Sequence, residues 1–130
     1  MNDNQSPELQ DYCVMMIPHD AEPYVAVWQL PKRESLMFHA ALRLAVSQVT
    51  GDPVERVRVF ADFYGGKKYS YLDMFVNEEG GIEPDPLPVN VAATAIYRFN
   101  VLFHEPGKVE AEDMPVIFGH AVLFEKRVWF

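Results

Sequence analysis

RVRVFADFYGGKKYSYLDMFV, residues 56–76, is the stretch on which the fold turns. Val57, Val59, Ala61 and Phe63 alternate with Arg56, Arg58, Phe60, Asp62 and Tyr64, the period-two pattern of a strand. Gly65-Gly66 follows, and both positions tolerate the positive φ that a two-residue hairpin turn demands. Residues 67–76 return with Ser70, Leu72, Met74 and Val76 on one side and Tyr69, Tyr71, Asp73 and Phe75 on the other. An antiparallel hairpin is expected. Its aromatic residues on both faces exceed what one helical layer covers. The second face must therefore meet a further layer of the core, a ligand groove or another subunit, since aromatics anchor both kinds of contact. Tyr69, Tyr71 and Phe75, with Trp129 near the end of the sequence, are the candidate interface residues.

Upstream, residues 35–50 have helical periodicity. His39, Arg43, Ser47 and Thr50 form a narrow polar stripe, and apolar residues cover nearly all the rest; so wide an apolar surface predicts burial on more than one side. Gly51 is suited to end this helix, and Asp52-Pro53-Val54-Glu55 has the chemistry of a short capped turn. Residues 12–17 and 24–30 are short β-rich runs separated by a turn at Pro18-His19-Asp20, which predicts paired antiparallel strands. Residues 1–10 are polar and aperiodic and are expected to form a disordered tail. Downstream, Asn77-Glu78-Glu79-Gly80-Gly81 reads as a turn. Residues 89–103 suit a strand by β-branching and a helix by length and alanine content, which favours a second helix. Residues 105–114 read as an acidic loop, and 115–130 return to strand composition with a break near Glu125-Lys126-Arg127. The expected architecture is one α+β domain over residues 11–130. It has two layers, a mainly antiparallel sheet packed with one long helix and a second one.

Composition narrows the class. The chain has 130 residues, 49% of them hydrophobic, enough for a core without metal or disulfide staples. Cys13 is the single cysteine and has no partner for an internal bridge, as suits a reducing compartment. No leader-like segment and no membrane-length apolar run is seen, so a cytoplasmic protein with no membrane partner is expected. The net charge of −8 is unevenly placed. Residues 1–31 carry five acids and no Lys or Arg, 32–72 carry seven bases against four acids, and 73–113 carry nine acids against Arg98 and Lys108. Acidity of this kind repels phosphate backbones, which argues against nucleic-acid binding, yet it is too dilute for mimicry of DNA.

Chemistry is sparse. His19, His39, His104 and His120 stand in no metal-ligand spacing, so no metal ligand is assigned. Cys13 sits in an apolar run, where free cysteine behaves as a small hydrophobe. Neither glycine pair has the context of a phosphate-binding loop, and no serine has the glycines of a nucleophile elbow. No catalytic residue and no cofactor is assigned. Catalysis would need a site assembled by folding from His19, Asp20, His104 or His120, at least two of them within hydrogen-bond reach.

Three pieces of the second half carry a resemblance: Phe75-Val76-Asn77-Glu78-Glu79-Gly80, then Leu87-Pro88-Val89-Asn90 with Ala93-Thr94-Ala95-Ile96-Tyr97, then residues 115–123, PVIFGHAVL. In order and spacing, residues 74–130 resemble a family of small uncharacterised proteins found in bacteriophages, plasmids and other mobile elements. The resemblance implies an accessory role in a bacterial or phage cytosol and brings no catalytic residues with it. The first expectation for function is a non-enzymatic protein-interaction module acting as a homodimer or on another protein partner. A small-molecule-binding domain is the alternative, with a pocket between sheet and helices and Asn77, Glu78, Glu79, Asn90, Thr94 and Tyr97 as polar contacts. An enzyme built on the scattered His and Asp residues is the third.

Overall fold

A computed structural model describes residues 8–60, 71–82, 84–104, 116–125 and 128. Five strands, β1 (Leu9–Ile17), β2 (Tyr24–Pro31), β3 (Val54–Phe60), β4 (Tyr71–Asn77) and β5 (Ala121–Phe124), form one sheet in the order β2-β1-β5-β4-β3. Every neighbouring pair is antiparallel. Helices α1 (Phe38–Thr50) and α2 (Val91–His104) complete the fold. This is the expected α+β class, an antiparallel sheet with two helices. Among the described residues no helix is long and apolar enough to cross a membrane.

Alternation along the strands settles where the helices go. Met74, Val76, Ala121 and Leu123 pack with Ile17 and with Ala93 and Ile96 of α2. Their neighbours Phe75, Val122 and Phe124 pack with Tyr12, Val14 and Leu30 and with Phe38, Leu42 and Val46 of α1. Successive side chains of a strand point to opposite faces, so each face of the sheet has its own helix. The two layers expected from the sequence become three. The aromatic surplus explains the difference: both faces of β4 are apolar, and burying each large side chain is worth roughly 1.5–3 kcal/mol. Phe124 lies at the centre of the α1 side, its ring 5.6 Å from Trp28 and 5.7 Å from Phe75. Phe75, expected at an interface, is a core residue only 2% exposed.

Several local expectations are corrected. Leu9 and Gln10 belong to β1 and pair with Pro31 and Leu30 instead of fraying with the tail. Helix α1 begins at Phe38 because the Ser35 hydroxyl accepts the Met37 N–H and holds residues 35–37 in turns. It buries the single stripe Phe38, Leu42, Val46 and Thr50, so Thr50 lies inside while Leu44 is 62% exposed. Gly51 ends the helix at φ 78°, its N–H bonded to the Ser47 carbonyl. Val54 and Glu55 are not a capped turn; they pair with Asn77 and Val76 as the start of β3. Of residues 115–130, only Ala121–Phe124 is described as strand, and the Gly65-Gly66 turn and acidic loop 105–114 fall outside the described residues.

Candidate functional site

Of the polar residues singled out from the second half, Asn90 and Thr94 meet where β1 ends and β5 begins. Asn90 is fully buried just ahead of α2. Its Oδ1 accepts the Ala93 N–H at 2.9 Å, which satisfies one of the donors that a helix start leaves orphaned. Its Nδ2 donates to the carbonyls of Ile17 at 2.7 Å and Gly119 at 2.8 Å, and its backbone N–H donates to Ile117. Thr94, one turn on, accepts the Ile117 N–H at 2.9 Å. Asn90 therefore ties β1, α2 and residues 117–119 together, a fastening role in place of the expected ligand contact.

The segments that Asn90 ties carry the histidines. Ile17 pairs with Ala121, so the chain leaving β1 and the chain entering β5 run side by side. His19 and His120 stack there, ring centroids 4.4 Å apart and planes 19° from parallel. The backbone N–H of His19 donates to Nδ1 of His120 at 3.3 Å. Asp20 lies beside them, and one ligand atom from each of the three falls within 4.8 Å of the others. Two of the scattered residues named as a conditional site thus meet, with the hydrogen bond between them made by the His19 backbone and not by its ring. His104 belongs to α2, and its side chain is outside the described set.

The remaining candidates divide. Asn77 donates to the carbonyls of Thr50 at 3.0 Å and Asp52 at 3.4 Å and accepts the Glu79 N–H at 2.8 Å, which fastens the α1–β3 connection to the turn after β4. Glu78 and Glu79 are exposed. Glu55, Asn77 and Glu78 line a shallow cavity of about 240 Å³ with Ile82 and Phe118, below the roughly 300 Å³ at which small-molecule sites begin. Tyr97 is half-buried against the α2-side core. Tyr71 contributes its backbone to β4, and Tyr69 and Trp129 are outside the described residues.

Sequence reasoning missed two features. Asp73 is fully buried, accepts the Val128 N–H at 2.8 Å and faces Arg56 at 3.9 Å; an acid inside an otherwise apolar strand was its signal. The second is the contrast between the two edges of the sheet. Edge strand β3, VERVRVF, carries Glu55, Arg56 and Arg58, the kind of charge that blunts an edge. Edge strand β2, YVAVWQLP, carries no charge over eight residues. On the α2 side its Val25 and Val27 are 64% and 58% exposed, close to exposed Cys13 of β1. Trp28 and Leu30, on the other side, line a groove with Ala45, Gln48 and Val49 of α1.

No protein-family model, curated protein or solved structure matches the chain. The fold and the site alone define its class, a three-layer α+β protein with a fully antiparallel sheet.

Proposed function

We propose that the protein is a non-enzymatic interaction module that pairs with a second copy of itself through strand β2. The observation that carries this reading is the uncharged eight-residue edge, set against the charged edge at β3. An unprotected edge is a template for another strand. A two-fold axis through Val27 continues the sheet into its copy as an antiparallel pair, with Val25 opposite Gln29 and Ala26 opposite Trp28. In that register Glu22, before β2, faces Lys32, after it. The acidic entry of one strand thus meets the basic exit of the other, whereas parallel pairing sets like charges together. Exposed Val25 and Val27 of the two copies merge into one apolar surface, as an isologous interface requires. The resemblance of residues 74–130 to mobile-element proteins supports placing such a dimer as an accessory protein of a bacterial or phage genome.

Sedimentation equilibrium of the full chain tests the reading. The wild type is expected at twice its 14.9 kDa, and Val27→Lys, at an exposed position, is expected to be a folded monomer. Lys32 also pairs with Glu8 of its own chain at 3.1 Å, so the sharper variant is the charge swap. Lys32→Glu alone weakens the dimer, and adding Glu22→Lys restores it. A wild-type monomer, or a dimer indifferent to Val27→Lys, overturns the proposal.

A further inference from the structure

His19, Asp20 and His120 gather donor atoms that the dimer does not use. The lone pairs are available: among the described residues no cation pairs with Asp20, and no hydrogen bond engages the His19 ring. Nδ1 of His120 already points at the chain carrying His19 and Asp20, held by a single long bond of 3.3 Å from the His19 N–H. The backbone on either side is tied down, because Asn90 fastens both Ile17, two residues before His19, and Gly119, one before His120.

We propose that His19, Asp20 and His120 bind a divalent transition-metal ion of the zinc type. Two imidazoles and one carboxylate suit zinc and its neighbours better than calcium or magnesium, which take oxygen donors. The ligand atoms lie within 4.8 Å of one another. Around an ion at 2.0–2.1 Å in tetrahedral geometry they close to about 3.3 Å. Rotation of partly exposed side chains makes up that difference while the fastened backbone stays in place. An ion lies in the plane of each ring that binds it, so two stacked rings cannot both hold it. Binding therefore turns one ring out of the stack, and Nδ1 of His120 exchanges its bond from the His19 N–H for the metal. Three protein ligands leave the fourth position to water, as in open zinc sites.

Titration of chelator-stripped protein with Zn²⁺ alone, followed by calorimetry, provides the test. One ion per chain is expected, and proton spectra should show the imidazole signals of His19 and His120 losing their mutual ring shielding. His19→Ala and His120→Ala are each expected to weaken binding at least as much as loss of an outer-shell partner does, about 10- to 100-fold. His39→Ala, on the exposed face of α1, leaves it unchanged. His19→Gln, in the loop after β1, serves if His120→Ala fails to fold. No binding by the wild type overturns the proposal, and so does binding that persists with the same affinity in the His19 variants. A monomeric protein that still binds Zn²⁺ through these residues overturns the dimer alone, so the two readings fail separately.

Discussion

Asn90 is one buried side chain that joins three separate stretches of the chain. One amide satisfies two carbonyls and one helix-start N–H, and all three lie where water does not reach. Asn90→Ala removes the cap, worth about 1 kcal/mol. It also leaves buried polar groups unpaired, at about 1–3 kcal/mol each. The expected loss is roughly 3–7 kcal/mol on those magnitudes, read as a lower urea midpoint at unchanged slope; an unchanged midpoint would contradict the fastening role. Tyr12 offers a second residue-scale expectation. Its hydroxyl donates to the Pro31 carbonyl at 3.2 Å. Burial pushes the phenol above its ordinary value, with Arg33 pulling it down and Glu34 up to a smaller extent. The native state thus holds this proton more tightly than the unfolded chain does. The associated stability is complete below about pH 10 and disappears as pH rises through the folded value. Ultraviolet titration should show one of the six tyrosines ionising late, and Tyr12→Phe should abolish that late step.

At the scale of elements, legibility followed pattern length. The pairing of β3 with β4 was readable because the alternation in each strand is local, and the two pair from Val54↔Asn77 to Phe60↔Tyr71. The first hairpin and α1 were readable for the same reason, whereas the α2 stretch suited strand and helix alike by pattern and was decided by its length and alanine content. What the pattern could not reveal was the face a helix buries. Helix α1 is apolar nearly all round, yet it meets the sheet along one i, i+4 stripe, because only one sheet face is offered to it. The capped turn at Asp52-Pro53 failed because pairing of Val54 and Glu55 with β4 outweighs a single capped turn. In the candidate site, Asn90 and Thr94 were recognisable as special, but their partners Ile17, Ile117 and Gly119 lie 23 to 73 residues away. The meeting of His19 with His120 spans 101 residues, beyond any local signal.

Taken whole, the molecule depends on its shortest strand. β5 has four residues, all buried, and within the sheet it lies between the first hairpin and the second, with β1 on one side and β4 on the other. Central strands open only when the whole structure opens. The amides of β5 are therefore expected to exchange at the global unfolding rate, orders of magnitude slower than those at the outer edge of β2 in a dilute sample. Fast exchange in β5 would mean that the hairpins hold together without it.

The strand order also carries a consequence for synthesis. β4 ends at Asn77 and β5 starts at Ala121, so a ribosome adding ~5–20 residues per second needs roughly 2–9 s to pass from one to the other. During that interval the residues of both hairpins have been made but β5 has not, so the flanks of β1 and β4 that will receive it have no partner. The nascent chain is then at its most adhesive, with four strand edges in place of two, and it is in this window that a chaperone has the most to protect.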